Sequence, residues 1–461
     1  MIKDTIAAIA SGLVSSGIGI IRISGPEALP VADACVRFKN GTLKDSADRL
    51  ARLGAAYDGD EKIDEAIVLV MRAPASYTGE DVVELQCHGG PYVMRRVLDS
   101  VIKAGARNAE PGEFTKRAFL NGKMDLSQAE AVMELIDARS EYARKAALSQ
   151  LSGALSGRVS ELREKLITET AYLEAALDDP EHISLDGYSQ RLAALLSRVL
   201  AELDEMIESA DRGKIIREGV RTVILGRPNA GKSTLLNLFL GEERAIVTAV
   251  PGTTRDILEE SVRFDEMALR LIDTAGIRED GDEIEKIGIE KAYDAAKDAD
   301  LVLYVTDSSE GLLGEDRQLF NKVKEIAEEN GAAVITLINK IDKGTPFSEQ
   351  EAGDLFDNPV FISAKTGEGK EKLEEKIKEL FYDGRINSAE ELIIAGARQK
   401  EELLAAVAAV KNALSAIETG VPEDFYTVDL MDAYNHLGRI TGDTADEALI
   451  NTIFEKFCMG K

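Results

Sequence analysis

The chain has 461 residues, 44% of them hydrophobic, and at roughly 100–200 residues per domain that length calls for two to four separate cores. Its 55 Lys and Arg against 83 Asp and Glu give a net charge of −28, which excludes a broadly basic nucleic-acid-coating surface and polybasic adsorption to anionic membranes. Cys35, Cys87 and Cys458 are too sparse for a disulfide framework and lack metal-ligand spacing, and no run of about 18 uncharged apolar residues occurs, so the expectation is a soluble cytoplasmic protein with no membrane association.

From Thr5 to about Leu120 the short apolar runs TIAAIA, IGIIRI, EAIVLVMR and DVVELQ are separated by Gly and Pro punctuation, such as SGP at Ser24 and HGGP at His88. This predicts a small α+β domain, in which His88 reads as a hydrogen-bonding turn residue rather than a ligand. Beyond it Leu151, Leu155, Val159, Leu162 and Leu166 recur at helical spacing, as do Leu192, Leu195, Val199, Leu203 and Met206. From about Arg217 to Phe381 the buried-strand runs RTVIL, LVLYV, AAVITLI and VFIS each lead into a polar or Gly-bearing loop and then a helical stretch, which is the pattern of a parallel sheet with crossover helices. The helical period resumes at Leu403, Val407, Val410, Leu414 and Ile417. Helices on both sides predict an α/β domain inserted into one helical domain, because domain termini often lie close together. No internal repeat is present, which excludes a solenoid.

The strand-like RTVIL runs into Gly226-Arg-Pro-Asn229-Ala230-Gly231-Lys232-Ser233-Thr234, a match to the phosphate-binding loop G-x-x-x-x-G-K-[ST] in its strand-loop-helix setting. Glycines let backbone N–H groups close around phosphate oxygens, Lys232 reaches the terminal phosphates, and the Ser233 hydroxyl can ligate Mg²⁺. Three further loops follow hydrophobic strands in order: Asp273-Thr274-Ala275-Gly276, Asn339-Lys340-Ile-Asp342 and Ser363-Ala364-Lys365. Asp273 is suited to hold Mg²⁺ through water, and the Gly276 N–H to sense a γ-phosphate, so hydrolysis would release that segment as a switch. Asp342 can accept from the ring N–H and amino group of guanine, which adenine does not present, so the nucleotide expected is GTP or GDP. The set resembles the Ras-like translation-factor GTPases.

Where Ras-type enzymes carry a water-orienting glutamine this chain has Ile277, and spacing alone does not choose a substitute among Glu279, Asp280, Asp282, Glu283 and Glu285. The segment Thr248-Ala249-Val250-Pro251-Gly252-Thr253-Thr254 has the Thr and Gly content of a first switch, and Arg255 beyond it reads first as a solvated side chain and only second as an arginine finger.

The strings DTIAAIA, GIGIIRISGP, PASYTGEDVVELQCHGG, EPGEFTKRAFLNGKMDLSQAEAV and the terminal FCMGK resemble the tRNA modification GTPase family MnmE, also called TrmE, from Asp4 to Lys461. The resemblance implies an α+β tetrahydrofolate-binding and dimerisation domain over 1–120, a helical domain in two parts over 121–214 and 383–461, and an inserted Ras-like P-loop G domain over 215–382. It also implies a homodimer that acts with a FAD-containing MnmG partner, using a folate one-carbon unit to place an aminomethyl-type group on the 5-position of the wobble uridine of tRNA. The acidic composition favours meeting that tRNA through the complex.

By position, the family's folate site falls on Arg22, Glu84, Lys123 and Lys461, for a 5-formyl or methylene-type tetrahydrofolate. Cys458 reads as a packed apolar residue first and a reactive thiol second. The resemblance assigns Mg²⁺ to Ser233 and Thr254, the water-orienting acid to Glu285, and a K⁺ ion to Asn229, Thr248, Val250 and Thr253 when two G domains meet. That ion replaces an arginine finger electrostatically. This chain departs from the family at Ser11-Gly-Leu-Val-Ser-Ser-Gly17, where the family carries TPPGRGG, so a basic residue and rigid prolines are lost near the folate site. Two other functions fit parts of the sequence: a ribosome-assembly type GTPase acting as a timer on RNA, which has no use for the folate-like half, and a folate-handling interaction subunit with an idle G domain.

Overall fold

A computed structural model describes residues 4–43, 46–241, 260–264, 266–272, 294–309, 314–344, 348–382, 393–457 and 460. The chain divides into two units, Met1–Met133 with Ser156–Ser189 and Asn412–Lys461, and Glu134–Leu155 with Gln190–Lys411.

The first unit is built on a sheet of β1 (Ile6–Ile9), β2 (Ser16–Ser24), β3 (Val36–Arg37), β4 (Ala51–Asp58), β5 (Glu61–Met71), β6 (Val82–Gly89) and β7 (Arg107–Asn108), in the order β3-β4-β5-β6-β2-β1-β7. Neighbours are antiparallel except β1 with β7. The side-chain period of two sends Ile21, Ile23, Val83 and Leu85 into one core with Met94, Val97 and Val101 of the helix Pro91–Lys103, while Arg22 and Glu84 turn to the opposite face. Pro at the start of that helix suits its fixed φ and missing N–H. In the same unit the helix Glu113–Leu120 contributes Phe114 to a smaller apolar cluster with Ile6 and Ala8, and Phe454 and Phe457 pack on Leu126 and Ala129.

The second unit carries the α/β sheet: β8 (Val220–Gly226), β9 (Glu260–Phe264), β10 (Met267–Leu271), β11 (Leu301–Asp307), β12 (Ala333–Asn339) and β13 (Val360–Phe361), in the order β13-β12-β11-β8-β10-β9. All pairs are parallel except β9 with β10. This is the Ras-like arrangement, with the strand that feeds the glycine loop in the middle. Both faces are covered, one by Leu235, Leu236 and Phe239 of the helix Lys232–Leu240 with Leu373 and Ile377, the other by Phe320, Val323, Ala327 and Phe356. Burial on both faces is why these strands read as unbroken apolar runs.

The helix Glu141–Leu151 belongs to the same core: Tyr142, Ala143 and Ala146 join Ile216, Val220, Tyr382 and Ile393, and Tyr142 stacks on Tyr382 with ring centroids 4.8 Å apart. Its Ser140 cap accepts from the Ala143 N–H. Gly213 lets the chain at Ile394 approach closely, since a Cβ there would lie 1.9 Å from the Ile394 carbonyl oxygen. Among the described residues no helix is long and apolar enough to cross a membrane.

Candidate nucleotide-binding site

β8 is a buried central strand that ends at Gly226, where a Cβ would stand 2.1 Å from the Val305 carbonyl oxygen and φ is +145°. Only glycine leaves the strand this way. The loop then turns through Asn229, at φ +62°, and Gly231, at φ +99°, before the helix Lys232–Leu240 begins. Asparagine is among the residues that tolerate this left-handed region. Gly231 caps the helix without a side-chain hydrogen bond, and the positive end of the helix dipole faces this loop. The Lys232 ammonium donates to the Gly226 and Arg227 carbonyls, 2.8 Å each, so the loop is wrapped around a fixed positive charge. Ser233 and Thr234 in the first turn are exposed.

Two loops from neighbouring strands close on this one. Asn339, 2% exposed at the end of β12, donates from Nδ2 to the Ala230 carbonyl at 2.9 Å and accepts at Oδ1 from the Ala364 N–H at 2.9 Å. One amide thus ties the glycine loop, the Asn339-Lys340-Ile-Asp342 loop and the Ser363-Ala364-Lys365 loop together. Its next neighbour Lys340, at φ +66°, donates to the Asn229 carbonyl at 2.6 Å. Ser363 Oγ donates to Asp342 Oδ1 at 2.8 Å and accepts from the Thr366 N–H at 3.2 Å, which aims an otherwise exposed carboxylate. Lys365 is exposed beside it. Asn229, Ala230, Gly231, Lys232, Ser233, Thr234, Asn339, Lys340, Asp342, Ser363, Ala364 and Lys365 therefore share the C-terminal edge of the parallel sheet, where open α/β sheets bind ligands. Thr248, Ala249, Val250, Pro251, Gly252, Thr253, Thr254, Asp273, Thr274, Ala275, Gly276 and Glu285 lie outside the described residues.

Sequence reasoning passed over Asp307, the last residue of β11, whose Oδ2 accepts from Lys340 Nζ at 2.6 Å. The signal available was an acid directly after the apolar run LVLYVT, at the same sheet edge as the other loops.

In the other unit, Arg22 and Glu84 are cross-strand neighbours on β2 and β6, and Arg22 Nε donates to Glu84 Oε1 at 3.0 Å. The Arg22 guanidinium also lies 5.7 Å from the Tyr77 ring centroid and 5.6 Å from that of Phe114, while Glu84 is only 9% exposed. Lys123 is exposed and donates to the Pro74 carbonyl at 3.0 Å, on the loop that also carries Tyr77. Cys458 and Lys461 lie outside the described residues.

Behind this face Arg117, fully buried, donates to Asp4, Glu80 and Glu113 at 2.9, 3.2 and 2.9 Å. Burial raises the Glu113 and Asp4 carboxyls, but hydrogen bonds and charge from Arg107 and Arg117 outweigh it and hold both below their ordinary values. His88 is a strand residue rather than a turn residue: its N–H and Nδ1 both meet the Asp64 carboxylate, at 2.8 Å each.

The family model described as MnmE helical domain matches residues 126–458, and that for the GTP-binding protein TrmE N-terminus matches residues 5–123. The tRNA modification GTPase MnmE of Lachnoclostridium phytofermentans is 48% identical over 464 residues, covering 100% of both chains. Those of Clostridioides difficile and Symbiobacterium thermophilum are 42% and 43% identical, again over 100% of both. With the glycine loop and its two partner loops gathered at one sheet edge and both ends of the chain matched, this chain belongs to the tRNA modification GTPase MnmE family.

Proposed function

We propose that the chain hydrolyses GTP as a homodimeric component of a complex with a FAD-containing MnmG partner, and that the complex modifies the 5-position of the wobble uridine of tRNA with a folate-borne one-carbon unit. The supporting observation is the Asn339 clamp, which holds the phosphate loop and the two base-reading loops in one frame. In this reading the N–H groups around Gly231, with Lys232, Ser233 and Thr234, take the phosphates beneath a first switch from Thr248 to Thr254. Asp342 accepts from the guanine ring and amino N–H groups, with Ser363, Ala364 and Lys365 backing the base. The segment Asp273–Gly276 responds to the γ-phosphate, and Glu285 orients the attacking water.

The hydroxyls of Ser233 and Thr254 are hard oxygen donors that fit Mg²⁺, which supplies charge neutralisation at the phosphates. The Asn229 amide oxygen and the oxygens of Thr248, Val250 and Thr253 fit K⁺, a fixed positive charge between two G domains. Arg22 and Glu84 present opposite charges at one face, which suits the carboxylate tail and ring N–H groups of a tetrahydrofolate derivative, with Lys123 and Lys461 as further cations. A chain of net charge −28 meets tRNA through its partner.

The test is Asp342→Asn. Two charge-assisted hydrogen bonds at about 1.5–3 kcal/mol each predict a loss of GDP affinity of about 100-fold or more by calorimetry, with xanthosine diphosphate gaining. Equal binding of adenosine and guanosine diphosphates by the unaltered chain would sink the reading.

A further inference from the structure

Lys340 has two jobs for one ammonium: it pins the Asn229 carbonyl of the phosphate loop at 2.6 Å and meets Asp307 Oδ2 at 2.6 Å. Asp307 is itself held, since its Oδ1 accepts from the Ser309 N–H at 2.9 Å and from Ser309 Oγ at 2.7 Å. The short loop after β11 is also sewn to the base-reading loop, with the Ser308 N–H donating to the Asn339 carbonyl at 2.8 Å and Ser308 Oγ to the Gly344 carbonyl at 3.2 Å. Asp307 belongs to none of the three nucleotide loops, yet it fixes the lysine that shapes one of them. A lysine stem has many rotamers, and a carboxylate at its tip selects one.

We propose that Asp307 is a positioning residue for the guanine-nucleotide pocket, acting through Lys340 to hold the Asn229 carbonyl and so the shape of the phosphate loop. The proposal rests on the nucleotide reading above. The Lys340 and Asp307 side chains are 22% and 10% exposed, and half-buried ion pairs of this kind contribute little to fold stability for the desolvation they cost. Placement, rather than net stabilisation, is what such a pair supplies. Burial raises the Asp307 carboxyl, but the bonds from Lys340 and Ser309 outweigh it, so the group stays below its ordinary value and ionised at neutral pH.

The test is the release rate of a fluorescent GDP from the full chain by stopped flow, for Asp307→Asn, Lys340→Gln and the double variant, beside the unliganded melting curve of each. Asp307→Asn and Lys340→Gln are each expected to speed release about tenfold, and the double variant to stay within about twofold of Lys340→Gln, because the two side chains act as one unit. Ser309→Ala loosens the same carboxylate without stripping a charge, and is expected to speed release about two- to threefold with an unchanged melting curve; it serves if Asp307→Asn fails to fold. Release from Asp307→Asn within twofold of the unaltered chain, an unaltered rate for Ser309→Ala, or effects of the two single variants that multiply, overturns the proposal while leaving GDP binding intact. Failure of the unaltered chain to bind GDP overturns the nucleotide reading instead, and the proposal with it.

Discussion

Gly231→Ala puts the phosphate loop under a strain whose size follows from the geometry. The residue sits at φ +99°, where a side chain costs about 1–2 kcal/mol, and a Cβ there would stand 2.2 Å from Asn339 Nδ2. The amide cannot retreat without weakening its bonds to Ala230 and Ala364, at about 0.5–1.5 kcal/mol each. The sum is about 2–5 kcal/mol, borne either as lost folding stability of the nucleotide unit or as a relaxed loop that no longer fits phosphate. Relaxation of the loop by the strain corresponds to a GDP affinity lower by about 30-fold or more, since each 1.4 kcal/mol is tenfold. Calorimetry with GDP and thermal melting of the same sample separate the two routes. A variant that keeps both its melting temperature and its GDP affinity within twofold would refute the clamp as the organising contact of the site.

Replacement of Arg117 by methionine removes the cation shared by Asp4, Glu80 and Glu113 while Arg107 still pairs Asp4 and Glu113, so the cost is at most about 3–5 kcal/mol, and a melting temperature unmoved by the change would contradict the buried-network description. Because the folded-state values of Asp4 and Glu113 lie below the ordinary 3.8 and 4.5, their contribution is complete above those values and is lost as pH falls through the lowered ones, so the melting temperature should drop steeply on acidification below about pH 4.5 and less steeply in Arg117→Met. Cys35 and Cys87 are buried, and burial first of all pushes the Cys87 thiol up to about 11; neither should be alkylated by iodoacetamide at neutral pH until urea is added, as peptide mass mapping would report. GTP hydrolysis should run at least about tenfold faster in K⁺ than in Na⁺ and rise more than linearly with protein concentration, and a rate indifferent to both removes the cation-bridged dimer.

The parallel strands of the nucleotide unit were legible because a strand covered on both faces needs apolar residues throughout, as LVLYV and AAVITLI show. β4 escaped notice because ARLGAAYD is rich in small residues and only Ala56 is fully buried, so no alternation marks it. The leucine period from Leu151 to Leu166 runs on across a break at Ser152 and Gly153, where φ reaches +90°, because i and i+4 spacing survives the interruption. At the site, the glycine loop and the Asn339 and Ser363 loops were local motifs, so their residues could be named in advance. The contacts that organise them could not, since Asn339 reaches back 109 residues to Ala230 and Lys340 reaches 33 to Asp307. The pairing of Arg22 with Glu84, and of His88 with Asp64, likewise depends on strand register, which no local pattern encodes.

The tyrosine pair formed by Tyr142 and Tyr382 bears on where the GTPase can be cut from its chain. A fragment trimmed to the α/β run alone would strip the aromatic partner from Tyr382, whose ring is 2% exposed, and bare the apolar flank that Ile216 shares with Ala143 and Ala146. A piece that keeps this flank covered is discontinuous, with a helix drawn from well upstream, and an excised version without that helix should be more prone to self-association.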